Sequence, residues 1–110
     1  MYKINSGDLT HFLLNAVRKT HGMFLMDTQL ISLMKFLTGY RIAMKMNAPE
    51  KKDRFLENFS DWLLQRKNLD GNQMWYPSIL EECNDSEESA LLKFWEYLEI
   101  FNVEVPKVID

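Results

Sequence analysis

The residues of this 110-residue chain that could carry out acid-base chemistry are closely spaced carboxylates. They form three pairs: Glu81 with Glu82, Glu87 with Glu88, and Glu96 with Glu99. General acid-base catalysis requires such groups in an apolar cleft beside a substrate, where burial can shift their pKa values. These pairs fall instead on positions that we expect to face solvent. Their spacing therefore does not favour a glycosidase-type reaction.

The other reactive residue types are one cysteine and two histidines. A nucleophilic cysteine needs a nearby base and a lowered pKa, whereas Cys83 lies in an acidic segment, so we predict a small core residue. Neither His11 nor His21 has a second ligand at metal-binding spacing. The four glycines, at positions 7, 22, 39 and 71, are too scattered for a phosphate-binding loop. We predict no catalytic residue, no metal and no cofactor.

A protein-binding surface is the functional site that the residues favour. Trp75 and Tyr76 follow a turn and precede an acidic cluster. The carboxylates of this cluster are Glu81, Glu82, Asp85, Glu87 and Glu88. Aromatic anchors dominate affinity at protein interfaces, and surrounding charge accelerates encounter. An alternative is that Trp75 closes one end of the fold and contributes only to the core.

The charge is divided unevenly along the chain. Residues 1–69 contain eleven basic and six acidic side chains, whereas residues 70–110 contain two basic and ten acidic ones. An acidic C-terminal third is poorly suited to contacting phosphates and better suited to a basic protein surface. The alternative is that these carboxylates only solvate a helix end and a tail.

One short basic stretch contains Lys51, Lys52 and Arg54. Acidic residues are interleaved with it, which is more typical of a solvated helix face than of a nucleic-acid site. We therefore predict no direct contact with nucleic acid.

Apolar periodicity predicts four or five helices. The first runs from about Gly7 to Lys19 with Ser6 as its N-cap, and a packed loop follows over residues 20–26. The second begins after Asp27 or Thr28 and ends near Met46 or Asn47. Because a glycine weakens a helix interior, we expect a neighbouring backbone to approach Gly39 closely.

Apolar periodicity in the second half of the chain predicts three further helices. Pro49 suits the first turn of the third helix, and Pro77 suits the opening of the fourth, which could also begin a turn earlier near Asn72. Asp85 and Glu88 have the spacing of a capping box for the fifth helix, which ends near Asn102. The tail over residues 103–110 is expected to be extended or frayed.

These elements predict an all-α protein, a compact single-domain bundle of four to five helices over residues 1–110. With 46% hydrophobic residues the chain can bury one core. The first residues do not have the pattern of a secretory signal, and the longest stretch without charge, Gly71 to Leu80, is too short to span a membrane. We therefore expect a cytoplasmic protein without a membrane partner.

Most of residues 15–101 resembles a group of small bacterial proteins. Those proteins have an R-x-x-P-G-M-Y-L-G start and a later F-L-x-G-Y-x-x-A helix. The matching positions of this chain include Arg18, Gly22, Met23, Phe24, Leu25, Phe36, Leu37, Gly39, Tyr40 and Ala43. The sequence differs at His21, which replaces the proline, and at Asp27, which has no preceding glycine. The group resembles immunity proteins encoded beside polymorphic or contact-dependent growth inhibition toxins.

The resemblance implies an antitoxin that binds and neutralises the C-terminal toxin domain of its own locus, often a nuclease. It does not identify the toxin-contacting residues, since the shared positions are largely apolar. A basic nuclease would suit the acidic cluster. Two alternatives remain. One is a structural or regulatory adaptor, for example a homodimer that buries Trp75 or the Met-rich second helix, and the other is an enzyme with an unfamiliar site.

Overall fold

A computed structural model describes residues 8–20, 27–70 and 74–105 of the chain. Within these ranges every regular element is helical, and the predicted all-α single-domain bundle is confirmed. The helices are α1 (Leu9–Phe12), which continues as a π-helical segment (Leu13–Val17), α2 (Leu30–Asn47), α3 (Arg54–Arg66), α4 (Trp75–Glu82) and α5 (Glu87–Glu104). Several predicted features lie outside the described ranges, namely Ser6, the loop over 21–26 with His21, the turn at 71–73 and the tail over 106–110.

The core is built around α5 and an aromatic cluster. The buried residues of α5 are Ala90, Leu91, Phe94, Trp95, Leu98 and Phe101. Phe59 of α3 stacks on Phe55 with ring centroids 4.7 Å apart, and it meets Phe94 and Phe101 edge-on at 5.4 Å. Such edge-to-face and offset pairs stabilise a core beyond simple burial of their area.

Asp53 determines where two helices begin. Its side chain is 9% exposed, and one oxygen accepts hydrogen bonds from the backbone N–H groups of Phe55 (2.9 Å) and Leu56 (3.4 Å). The other oxygen accepts from the N–H of Leu9, 2.8 Å away. The prediction that Pro49 lies in the first turn of the third helix is therefore wrong, because the buried cap makes Arg54 the first residue of α3.

Arg54 is likewise not part of a solvated helix face. Its guanidinium Nε lies 2.9 Å from a carboxylate oxygen of Asp8, and both side chains are buried. It also donates to the Asn102 side chain (2.9 Å) and to the Val105 carbonyl (2.6 Å). This residue therefore joins α1, α3 and the end of α5. Because the pair is buried, removing one partner would leave an uncompensated charge.

The two predicted ends of α5 are wrong by one or two residues. The N-cap is Ser86, whose hydroxyl accepts from the Ser89 N–H, and not Asp85. Asp85 cannot serve as the cap because it has a left-handed backbone, with φ of 64°. At the other end α5 continues to Glu104, so residues 103 and 104 are its last turn and not part of an extended tail. The Glu104 carboxylate accepts from the Trp62 indole N–H at 2.9 Å.

The remaining boundaries also differ slightly from the predictions. The first helical region ends at Val17 and not at Lys19. Gln29, without a side-chain hydrogen bond, is the N-cap of α2, while Asp27 accepts from the Gln29 N–H at 3.0 Å. The α4 helix begins at Trp75, two residues before Pro77. The expected close approach of a backbone to Gly39 is wrong for the described part of the chain, since a Cβ built there would meet none of its atoms within 4 Å.

Candidate protein-binding surface

The seven predicted partner-binding residues lie on one helical hairpin. Four of them are on α4, Asp85 is on the tight turn, and Glu87 and Glu88 are in the first turn of α5. In the turn, Asn84 and Asp85 have positive φ values of 56° and 64°, and the Asp85 N–H donates to the Leu80 carbonyl at 2.9 Å. This turn joins the end of α4 to the start of α5. The internal contacts of these seven residues differ and divide them into half-buried, internally bonded and exposed members.

Trp75 is part of the aromatic cluster. Its ring lies 5.2 Å from that of Phe94 and 5.8 Å from that of Phe59, and its side chain is half-buried. Tyr76 meets it edge-on at 6.4 Å. Trp75 therefore packs against one side of the core, as the alternative interpretation expected.

Tyr76 and Glu87 connect the hairpin to α2. The Tyr76 hydroxyl donates to one oxygen of Glu87, and the other oxygen accepts from the backbone N–H of Ile31 at 2.8 Å. Burial, followed by the hydrogen bond to Glu87, raises the pKa of Tyr76 to about 12. Glu87 thus satisfies a free N–H at the start of α2, where Gln29 supplies no side-chain cap. Its position is fixed by the fold.

Glu82 is neutralised within the chain. Its carboxylate lies 2.9 Å from the Lys67 ammonium and 3.7 Å from that of Lys93, and it accepts from the Tyr97 hydroxyl at 2.7 Å. Burial raises the pKa of Glu82, but these hydrogen bonds and positive charges outweigh burial and hold it below its ordinary value. The adjacent Cys83 is half-buried, and burial followed by the Glu82 charge raises the pKa of its thiol. A raised pKa disfavours the thiolate form, which is the nucleophilic form of a cysteine.

Glu81, Asp85 and Glu88 are the members of the predicted set that face solvent without a counter-ion. All three are exposed, and no cation of the described residues lies within ion-pair distance of them. Glu88 makes one polar contact, accepting from the Thr28 hydroxyl at 2.8 Å. These residues, here termed the acidic corner, place three negative charges on the last turn of α4, the turn after it and the first turn of α5.

The structure also forms a basic cleft that the sequence did not predict. It has a volume of about 240 Å³ and lies between the C-terminal end of α2, the loop after it and the start of α3. Its cationic lining residues are Arg41, Lys45, Lys51 and Lys52. The sequence pattern suggested a helix face for Lys51 and Lys52, but both lie in the loop before α3. Only the fold brings Arg41 and Lys45 beside them.

No arrangement of metal ligands occurs within the described ranges, where no three His, Cys, Asp or Glu side chains are grouped to hold an ion. His11 contacts one carboxylate, Asp8, whose oxygen lies 3.0 Å from its Nδ1. In the same part of the chain, no helix is long and apolar enough to cross a bilayer. The features with functional potential are therefore the acidic corner, the basic cleft and the exposed apolar side chains.

In comparisons with known protein families, with curated proteins and with solved structures, the chain matches none of them.

Proposed function

We propose that this protein is an immunity protein, which binds and neutralises a basic toxin domain, most simply a nuclease, by covering its active site. The observation that carries the proposal is the acidic corner of Glu81, Asp85 and Glu88. A nuclease active site must attract phosphates, so its surroundings are basic. A group of carboxylates without internal counter-ions is complementary to such a surface. The sequence resemblance to toxin-immunity proteins supports the same function.

Internal hydrogen bonds hold the backbone of the acidic corner in place before a partner binds. The turn between α4 and α5 is held by the Ser86 cap and by the bond from Asp85 to Leu80. Tyr76 and Glu87 attach the hairpin to α2. A preorganised surface loses less conformational entropy when it binds, so more of the interaction energy appears as affinity. An inhibitor must act before the nuclease damages its target. It therefore benefits both from a preorganised surface and from the fast association that charge provides.

The first test concerns the partner itself. We expect the gene directly upstream to encode a large secreted protein with a C-terminal toxin domain. Co-expression of this protein with that domain should preserve cell growth, and the two chains should co-purify in a stoichiometric complex. Cell death despite co-expression, without a complex, would contradict the proposed function.

The second test concerns the surface. The variant Glu81→Gln/Asp85→Asn/Glu88→Gln removes three charges and keeps each side chain's shape. At 0.1 M salt, the attraction between one carboxylate and three basic groups about 10 Å away increases the association rate constant about twofold. The effects of the three carboxylates multiply, so we expect the association rate constant of the triple variant to be roughly tenfold lower. Stopped-flow or surface-based kinetics at several salt concentrations should also show a weaker salt dependence.

A matched control is available on another part of the molecule. Glu50→Gln/Glu57→Gln/Asp61→Asn removes the same number and types of charge from exposed positions. If this control slows association as much as the first triple variant, net charge and not the acidic corner determines binding. If neither variant changes the kinetics, the acidic corner is not the contact surface.

A non-enzymatic adaptor is the second candidate function. One observation favours it: Ile42 and Met46 of α2 are 54% and 78% exposed. Neighbouring apolar side chains that face solvent are typical of surfaces that contact another protein. An adaptor would not protect cells from the upstream toxin domain, so the growth test separates the two functions.

A further inference from the structure

The basic cleft gathers positive charge from two neighbouring elements. Arg41 and Lys45 belong to the second half of α2, and Lys51 and Lys52 belong to the loop before α3. All four residues are exposed. No carboxylate of the described residues lies within ion-pair distance of their cationic groups. Four positive charges therefore face one cleft without a counter-ion from this part of the chain.

Two carboxylates also line the cleft, and their contacts differ. Asp53 is buried, and its oxygens accept from three backbone N–H groups at the starts of α1 and α3. Glu57 is exposed and makes no ion pair within the described ranges. Since hydrogen bonds commit the Asp53 carboxylate to the two helix starts, Glu57 is the carboxylate that a ligand in the cleft would meet. The cationic groups outnumber it.

Arg41 is held across the cleft by the fold. Its guanidinium donates from Nη2 to the Leu56 carbonyl of α3 at 3.3 Å. A guanidinium has five N–H donors in one plane, so this contact orients the group and leaves donors for a ligand. Met44 and Leu56 are half-buried and give the cleft apolar surface, which strengthens charge interactions near it.

From these observations we propose that the basic cleft binds a small phosphate compound with two adjacent phosphate groups. Its volume of about 240 Å³ is below the roughly 300–1,000 Å³ of pockets for drug-sized ligands. It corresponds to about eight water molecules at about 30 Å³ each, which is the size of a diphosphate group. A tetrahedral phosphate directs oxygens to several sides and suits donors that converge from α2 and the loop, whereas a carboxylate offers two oxygens in one plane.

Simple electrostatics gives the expected strength of binding. In water at 0.1 M salt, a cation about 5 Å from an anion with two charges lowers its dissociation constant about fivefold. Four such cations lower it about 600-fold, so we expect a dissociation constant on the order of 1 mM for pyrophosphate. NMR titration of the full chain at constant ionic strength measures binding of this strength and shows which amide signals change.

The first test removes charge from the loop. Lys51→Gln/Lys52→Gln should increase the dissociation constant for pyrophosphate about 25-fold, because two of the four cations are lost. The matched control Lys19→Gln/Lys35→Gln removes two exposed lysines that do not line the cleft, and it should change the constant less than about twofold. Equal weakening by both pairs would show that net charge determines binding and would overturn the proposal.

The second test should increase the affinity. Glu57→Gln removes a carboxylate that repels the ligand from about 7 Å, so the dissociation constant should decrease about threefold. Glu96→Gln removes an exposed carboxylate of α5 outside the cleft and should leave the constant unchanged. A gain of affinity cannot arise from a damaged fold. An unchanged constant for Glu57→Gln would place the ligand outside the cleft and overturn the proposal.

The phosphates of ADP and of single-stranded DNA share this chemistry, and titration of both separates the two sources. ADP has two adjacent phosphates and should bind at least as tightly as pyrophosphate, with the same dependence on Lys51 and Lys52. A short oligothymidine has isolated phosphates and should bind more weakly. Tighter binding of the oligothymidine would make the cleft a nucleic-acid contact and overturn the proposal. Equal binding of citrate would show attraction to charge alone and would also overturn it.

The phosphate site is separate from the surface proposed to contact a toxin. Lys51→Gln/Lys52→Gln leaves the acidic corner intact, so this variant should still protect cells from the upstream toxin domain. Phosphate binding without protection would refute the immunity function alone. Protection without phosphate binding would refute the phosphate site alone.

Discussion

Glu87 provides the sharpest test of how the acidic hairpin is built. The variant Glu87→Ala removes the acceptor for the Ile31 N–H and the acceptor for the Tyr76 hydroxyl. Hydrogen bonds to a charged group contribute about 1.5–3 kcal/mol each, and the half-buried position places these near the lower end. We expect a decrease of about 3 kcal/mol in the free energy of unfolding. For a domain of this size that corresponds to a decrease of about 12–20 °C in Tm.

Urea unfolding measures the decrease in the free energy of unfolding, and calorimetry measures the decrease in Tm. Two controls accompany these measurements. Glu81→Ala removes a carboxylate of the same hairpin that has no internal partner, and it should change the free energy of unfolding by less than about 0.5 kcal/mol. Glu87→Gln retains one acceptor and one donor and should lose less than half as much stability as Glu87→Ala. If Glu87→Ala and Glu81→Ala are equally stable, Glu87 does not hold α2. The distinction between Glu87 as a structural residue and Glu81 as an exposed one would then be incorrect.

Three further predictions concern stability. Asp53→Ala should lower the free energy of unfolding by about 3 kcal/mol, because Asp53 caps α3 and also accepts a hydrogen bond from α1. Ser86→Ala removes an ordinary cap and should lower it by about 1 kcal/mol. Similar losses for the two variants in urea unfolding would contradict the double role of Asp53. Because the pKa of Tyr76 is raised to about 12, its contribution to stability is complete below pH 10 and should be lost as the pH rises from 10 to about 12. Tyr76→Phe should weaken this decrease of Tm without abolishing it, because the pKa values of Tyr40 and Tyr97 are raised as well, and an unchanged decrease would contradict the contribution of Tyr76. Gly39→Ala should raise the free energy of unfolding of the monomer by about 0.8–1 kcal/mol, and a lower Tm in dilute solution would show that the position is not open.

The fold class was predictable because the apolar residues repeat with the period of a helix. This repeat is clearest in α3, where Phe55, Phe59 and Leu63 all turn toward the core. The helix ends were less predictable, since their caps depend on distant residues. Asp53 accepts from Leu9, 44 positions away, and Glu87 accepts from the start of α2, 56 positions away. A search for capping residues next to each helix cannot find such contacts.

The candidate site was predictable as a cluster but not in its details. Charge counting along the sequence predicts the acidic segment as a candidate surface, and the position of Trp75 between a turn and that segment predicts this residue as part of it. Sequence spacing does not show that Lys67 and Lys93 neutralise Glu82, because only the fold brings them within 4 Å. For the same reason the basic cleft, whose lining residues come from α2, a loop and α3, had no signal in the sequence.

The internal contacts of the hairpin change how binding experiments should be designed. Reversing the charges of Glu87 and Glu88 is the obvious experiment on the acidic cluster, but it would also remove the contact to Ile31 and place positive charge at the N-terminus of α5. Loss of binding in such a variant could arise from a displaced α2. Neutral substitutions at Glu81, Asp85 and Glu88 avoid this ambiguity.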